Sequence, residues 1–416
     1  MPSSGPSVSE RIRVPNAASG SAGTSVRLKR LKVALVTAFP PSRGDLNEYG
    51  YHIACALRDD PRIELTVLAD TTNSAEELPG FRVQRCWRFN SVFNPVHLLS
   101  AIRKSDPDVV WFNIGFSTFA RSPLAAFFGI TVPALARVLG YYTHVTLHTV
   151  FERISLEDAG LYFPSLYRMA GRLATRMILK ADDISVLLPS FQAELVKHYG
   201  ASARRVQARP HGTFESAGAL SNHAPANNAK RTILAFGYWG TYKRVDLLLE
   251  TMTEVSSKVS GAELVIAGTN HPSTPGYLES LQEQYRHNSA VVFLGYVPEE
   301  ELPDLFRSAS VLVLPYSSAA GTSGVVHQAC QYGLPMVAAE VPEIAEIAKE
   351  ERIAIEFYPQ GDGAALAGHL VRLLKSDELR RNLREQNLAA AQSTPMSQVV
   401  GEYVRLFGER VQRPER

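Results

Sequence analysis

Along this chain, short apolar runs rich in β-branched residues alternate with longer stretches whose apolar positions recur three and four residues apart. The first pattern predicts strands buried on both faces, and the second predicts amphipathic helices. Residues 32–38 (KVALVTA) make the first such strand. A turn-forming loop at 39–45 and a helix over 48–57 follow it. Further strands are expected at 64–69, 81–86, 109–113, 144–148 and 183–188, with helices between most of them, including 97–104 and 161–180. After Pro210-His211-Gly212 the pattern lapses into a polar stretch, 213–230, which reads as an interdomain linker. A second series then begins. Its strands are 232–236, 263–267, 291–294, 311–314 and 336–338, and its helices are 245–259, 275–287 and 298–307. Near the end, Val400, Val404, Phe407 and Val411 form one stripe on a helix over 397–411.

Strand–loop–helix alternation, run twice, predicts an α/β protein of two doubly wound parallel sheets. A length of 416 residues suits two domains of ordinary size. The expected divisions are a disordered tail at 1–28, a first domain at 29–212, the linker at 213–230, a second domain at 231–396 and a terminal helix and tail at 397–416. The tail is rich in Ser, Gly, Pro and Ala and lacks the continuous apolar region of a signal peptide. The apolar stretch from Leu124 to Tyr142 is broken by Pro133 and Arg137, so no membrane-spanning helix is expected. A net charge of +2 gives no general attraction to nucleic acid. Cys55, Cys86 and Cys330 are too widely spaced for a zinc motif or a disulfide framework, which is compatible with a cytoplasmic protein.

Open α/β sheets bind ligands beyond the carboxyl ends of their strands, so the loops there carry the candidate chemistry. The most informative is the run from Thr322 to Ala339 (TSGVVHQACQYGLPMVAA). A buried strand leads through a small-residue turn into a helix at 325–332, which Gly333 ends before the next strand. A helix start offers free N–H groups and a positive dipole end, a natural anion site. The hydroxyls of Thr322 and Ser323 add donors. A second loop, GYWGTYKRVD from Gly237 to Asp246, brings Lys243 to a helix start. A lysine there opposes the helix dipole unless it meets an anion. By position alone it reads equally as a solvated surface lysine.

These stretches resemble the retaining glycosyltransferases of the GT-B fold, the bacterial group 1 or family 4 enzymes. The resemblance runs from about Leu31 to the C-terminus and includes Pro210-His211-Gly212 at the domain junction. It implies two Rossmann-like domains facing across a cleft, with the C-terminal helix crossing back to the first. It also implies a nucleotide-diphosphate sugar as co-substrate, with no other cofactor and no protein-held metal. Lys243 then neutralises the donor diphosphate, and His148, at a strand end, meets the transferred sugar. Gly44 and Asp45 belong to a loop that approaches the diphosphate or sugar. Gly237 and Gly268 are loop glycines on the donor side, and Tyr296 and Val297 meet the nucleotide base. Thr322, Ser323, Gly324 and Val325 make the anion turn.

The departures are as informative. The family's loop arginine falls on Tyr238, and the glycine after its lysine falls on Arg244, a candidate for the second positive charge. Thr149 stands where relatives carry aspartate after the histidine. The family's two glutamates fall on Ala320 and Gln328. Gln328 keeps hydrogen-bonding capacity toward a ribose diol but has no charge. His52 and His211 read as structural residues.

Other chemistries lack their motifs. Ser323 is not in G-x-S-x-G, and the chain has neither a P-loop nor a G-x-G-x-x-G fingerprint. Between Tyr167 and Lys180, Arg168, Arg172, Arg176 and Lys180 recur every fourth residue. Such a stripe is either a solvated helix face or a contact with anionic lipid, and a lipid contact would point to a lipid-linked glycan as acceptor. The expected activity is transfer of a sugar to a glycan, lipid-linked or small-molecule acceptor. The alternatives are a catalytically inactive nucleotide-sugar-binding partner of an active transferase, and a GT-B epimerase acting on the donor.

Overall fold

The computed structural model describes residues 29–42, 44, 46–72, 78–153, 164–215, 231–271, 274–319 and 321–412. The tail at 1–28, most of the linker, Asp45 and Ala320 lie outside the described residues.

The first half runs β1 (Leu31–Thr37), α1 (Asn47–Asp59), β2 (Ile63–Asp70), β3 (Val83–Trp87), α2 (Asn94–Ser105), β4 (Val109–Ile114), α3 (Pro123–Ile130), α4 (Val132–Val138), β5 (Tyr142–Leu147), α5 (Pro164–Ile178), β6 (Asp183–Val186), α6 (Pro189–Tyr199) and β7 (Val206–Ala208). The second runs β8 (Arg231–Trp239), α7 (Val245–Lys258), β9 (Ala262–Asn270), α8 (Tyr277–Tyr285), β10 (Val291–Gly295), α9 (Leu302–Ser308), β11 (Val311–Leu314), α10 (Gly324–Gln331), β12 (Met336–Ala339), α11 (Pro342–Glu350), β13 (Ile355–Tyr358), α12 (Gly363–Lys375), α13 (Asp377–Ser393) and α14 (Met396–Val411). The apolar stretch after Leu124 supplies α3 and α4, each with proline in its first turn, where a missing N–H is harmless.

Both sheets are wholly parallel. Their orders are β3-β2-β1-β4-β5-β6-β7 and β10-β9-β8-β11-β12-β13. Strand order reverses between β1 and β4 in one and between β8 and β11 in the other, and a crevice opens at the carboxyl ends there.

Alternation along the strands assigns the layers of the first domain. Ala34, Val36, Val110 and Phe112 pack with α2, α4, α5 and α6 on one face. Val33, Leu35, Val109 and Trp111 pack with α1 and α14 on the other. The last helix thus crosses back, as the family resemblance implies. Its Tyr403 ring lies 4.5 Å from Trp111, and Arg410 pairs with Asp183 at 2.9 Å. The crossing is anchored beside the first domain's exit, where Thr213 N donates to Thr394 O at 2.8 Å and Met396 N donates to Thr213 O at 2.9 Å.

Candidate functional site

The loops after β8 and β11 meet at the second domain's switch point. Ser317 donates to the Tyr242 carbonyl through its backbone N–H at 2.7 Å and its hydroxyl at 3.0 Å, which ties the two loops together. Lys243 folds back between them. Its ammonium lies 4.9 Å from the Tyr316 ring centroid and 5.6 Å from that of Trp239. It has no carboxylate partner among the described residues. Burial pulls the ammonium down to about 8.

Gly237 makes room for this arrangement. A Cβ there would sit 3.1 Å from Lys243 Nζ and 3.8 Å from Val325 Cγ2. Gly237, Lys243 and Val325, separated in sequence, are therefore neighbours in the fold. Val325 lies in the first turn of α10, whose leading N–H groups are free of helical partners. Thr322 Oγ1 is buried and without a hydrogen-bond partner among the described residues. An unpaired ammonium, helix-start N–H groups and an unpaired hydroxyl form a donor set for an anion.

The second domain's turn reaches the first domain at Gly321. A Cβ there would lie 2.9 Å from the His148 carbonyl oxygen and 3.3 Å from Thr149 Oγ1. His148 is thus close to the anion turn, and its tautomer follows from a chain of bonds. Thr37 Oγ1 donates to Ala38 O at 3.0 Å, and Asn113 Nδ2 donates to Thr37 Oγ1 at 3.0 Å. Asn113 Oδ1 therefore faces His148 Nε2, 2.6 Å away, and Nε2–H donates. Nδ1 is left as an acceptor. Burial drives the imidazole down to about 3, so it is neutral. His148 can accept a hydrogen bond from a sugar hydroxyl but does not hold a transferable proton.

Other sequence-selected residues fall elsewhere or have other partners. Arg244 bonds to the Asp246 carboxylate at 3.0 Å, a local pair at the start of α7. Gly268 faces Gly237 across the β8–β9 ladder, where a Cβ would lie 1.9 Å from Gly237 O. Packing alone thus demands glycine at 268. Gly44 is drawn into a loop pinned by Asp70. Its N–H donates to Ser42 Oγ at 3.1 Å, while Asp70 accepts from Ser42 and from Phe39 N. Tyr238, near the end of β8, and Tyr296, just after β10, are each 54% exposed, and Val297 is half-buried. Gln328 is buried, and its amide donates to Glu48 across the cleft.

Several contributors carry no sequence signal. His327 is fully buried in α10. Its Nδ1 lies 3.0 Å from Ser323 O and its Nε2 lies 3.1 Å from Glu351 Oε2. Both partners are acceptors, so both ring nitrogens donate and the ring is an imidazolium facing a carboxylate. Burial opposes that charge, but the Glu351 carboxylate and the bond to Ser323 O outweigh it and raise the His327 value. His211 stacks on His327 at 3.9 Å and is held neutral by burial and by that neighbouring charge. Tyr49 completes the row. Its hydroxyl donates to His211 O at 2.9 Å, and its ring meets His148 edge-on at 4.6 Å. A partnered Glu351 and His327 give no sequence cue because they are 24 positions apart and meet only in the fold.

Comparison with known proteins agrees with this geometry. Residues 230–376 match the family model described as group 1 glycosyl transferases. Over 132 residues the chain is 34% identical to an uncharacterized glycosyltransferase of Methanocaldococcus jannaschii, covering 32% of this chain and 33% of that protein. It is 26% identical over 183 residues to the phosphatidyl-myo-inositol mannosyltransferase of Mycobacterium leprae, covering 42% and 46%. The chain thus spans between a third and a half of the length of these relatives. Among solved structures, sucrose-phosphate synthase of Thermosynechococcus elongatus superposes with a TM-score of 0.70 at 17% identity, covering 92% of this chain and 99% of that one. HepE of Anabaena, solved with UDP-glucose, gives 0.67 at 14% identity, covering 91% and 100%. Residues 230–376 are thus similar to the group 1 glycosyl transferases, and the chain as a whole has the GT-B fold.

Proposed function

We propose that this protein transfers a sugar from a nucleotide-diphosphate sugar, with retention of configuration, to a glycan or lipid-linked acceptor. The observation that carries this reading is Lys243, a desolvated ammonium with no carboxylate partner among the described residues, beside the start of α10. The donor diphosphate would lie between Lys243 and the N–H groups of Ser323, Gly324 and Val325. Negative charge grows on that diphosphate as the sugar departs, and these donors meet it there. Gln328 would turn from Glu48 to the ribose, and Tyr238 or Tyr296 would offer a face to the base. His148 would orient a hydroxyl of the transferred sugar as a neutral acceptor. No protein carboxylate is assigned as nucleophile, which fits displacement on one face of the sugar. Replacement of the family's two glutamates by Ala320 and Gln328, and of its loop arginine by Tyr238, supports one further reading, a chain that binds the donor without turnover.

The test is a thermal-shift panel with UDP, GDP, ADP and their common sugar conjugates, followed by turnover assays with whichever binds. A nucleotide at a hundred times its dissociation constant is expected to add about 2.7 kcal/mol of stability. No shift with any of them overturns the donor site. A shift without transfer or hydrolysis selects the non-catalytic reading.

The acceptor proposal rests on the outer helices of the first domain. Phe93 and Val96 at α2, Leu124 on α3, Val138 on α4 and Met169 on α5 are each more than half exposed. Arg168, Arg172 and Arg176 are exposed on α5 beside Met169 and Leu173. No helix among the described residues is long and apolar enough to cross a membrane. Apolar side chains flanked by arginines suit the surface of an anionic bilayer on the cytoplasmic side. The chain is expected to co-sediment with vesicles containing phosphatidylglycerol but not with pure phosphatidylcholine. Changing all three arginines to glutamate should weaken that binding by roughly a hundredfold and leave nucleotide binding unchanged. Equal binding to both vesicle types, or none, removes the membrane proposal.

A further inference from the structure

Glu48 and His52 are one turn apart on α1 and so share a helix face. That face meets Glu299, which begins the short turn after β10 in the second domain. One ligand-capable atom from each residue, two carboxylate oxygens and an imidazole nitrogen, lies within 4.8 Å of the others. They line an interdomain cavity of about 330 Å³ together with Phe214, Gln328 and Tyr332.

His52 distinguishes this cluster from an ordinary acidic patch. Its side chain is nine-tenths buried and opens into the cavity. The ring lies flat on Phe214, with centroids 4.1 Å apart and planes at 7°, which fixes its direction. It has no hydrogen-bond partner among the described residues. Burial lowers its value to about 4, so the ring is neutral and a nitrogen lone pair is free. Burial and then the Glu299 charge push the Glu48 carboxyl up to about 7. The cluster thus brings together the Glu299 carboxylate, the Glu48 carboxyl and an imidazole, and a bound cation would displace the Glu48 proton.

We propose that Glu48, His52 and Glu299 bind a divalent metal ion of the zinc class and do so only when the two domains are closed. Two carboxylate oxygens and one imidazole nitrogen are ordinary zinc ligands, and three protein ligands leave a position for water. Gln328 donates to Glu48 and holds the carboxylate toward the ion, the usual role of an outer hydrogen-bond partner. Because Glu299 comes from the opposite domain, the ion fastens the cleft. By linkage, any ion that binds only the closed form favours that form. Gln328 is shared with the donor reading, which turns its amide from Glu48 to the ribose, so ion and donor compete for that side chain.

The experiment uses the full chain without nucleotide. Zn²⁺ is titrated by calorimetry, and X-ray scattering follows the radius of gyration. The expected result is one ion per chain and a smaller radius on binding. His52→Asn and Glu299→Gln should each weaken binding at least tenfold, and Glu299→Gln should abolish the contraction. Glu299 is exposed, so that variant retains its fold, verified by an unchanged metal-free melting curve. Absence of binding to the native chain, or undiminished binding in Glu299→Gln, overturns the proposal.

Discussion

Lys243→Met is expected to weaken nucleotide-diphosphate binding by about 10- to 150-fold, the equivalent of a lost charge-assisted contact of about 1.5–3 kcal/mol. Turnover should fall further, by roughly 10²–10³ in kcat, because the lost charge faces a leaving group that grows more negative along the reaction. Calorimetry with the best-binding nucleotide and initial rates under saturating donor measure the two effects. The same substitution should raise the melting temperature of the nucleotide-free protein, since it removes a desolvated ammonium that no carboxylate among the described residues balances. Activity and stability therefore move in opposite directions, as expected for a functional residue and not for a packing residue. Lys258→Met is the control. That lysine is exposed and pairs with Glu254 at 2.6 Å on the far side of α7, and neither measurement should change.

The sign of the pH dependence follows from the direction of the shift. The Lys243 value falls from 10.5 in the open chain to about 8 in the fold. Its charge thus opposes folding below about 8, and that penalty is relieved as pH rises from 8 toward 10.5. Nucleotide affinity should run the other way and weaken as pH climbs through 8, where the free protein loses the ammonium. Melting curves that decline over this window while affinity holds would refute the assignment.

His327→Ala is expected to lower stability by about 3–5 kcal/mol, because it strands the Glu351 carboxylate in a dry interior. His327 and Glu351 are both nearly inaccessible, and Glu351 also accepts the His211 N–H at 3.3 Å. Urea unfolding monitored through the second-domain transition measures the loss. In the native protein the His327 value is raised above 6.5, so its contribution is complete below 6.5 and fades as pH rises through the raised value. The Glu351 value is lowered below 4.5 despite burial, through the His327 charge, so its contribution is complete above 4.5 and fades as pH falls. The ion pair is therefore strongest in the window that opens at about 4.5 and closes at the raised histidine value. The variant's deficit should be largest there and should shrink on either side. A deficit that ignores pH would mean that His327 only fills space. Because His327 also holds the carbonyl of Ser323, its loss should loosen the anion turn and weaken nucleotide binding.

The strands were the most readable part of the chain because a parallel sheet covered on both faces requires continuous apolar runs. Leu31–Thr37 and Val311–Leu314 show this plainly. Local turn chemistry likewise marked Lys243 and the start of α10 as candidates, since a helix start and the N–H groups it leaves free are consecutive residues. Ile355–Tyr358 escaped notice because it sits at the sheet edge, half-buried, with Glu356 interrupting the apolar run. Long-range polar pairing was invisible. Nothing local links His327 to Glu351, or Glu48 to Gln328, which lie 280 positions apart. Arg244 illustrates the reverse error: its place beside Lys243 suggested a second anion ligand, but Asp246, two residues on, takes its guanidinium. At Gly268 the family glycine is explained by a strand neighbour, and no ligand approach is needed to account for it.

The crossing of α14 has a consequence for how the protein is made. Part of one covering layer of the first sheet, the part beside α1, is encoded by the 16 residues of Met396–Val411. Leu35, Trp111 and Tyr142 leave the ribosome hundreds of residues before Phe407, the side chain that seals them. The second domain can fold while that face is still open, since its own core needs nothing from α14. The first domain, although synthesised first, is the one completed last.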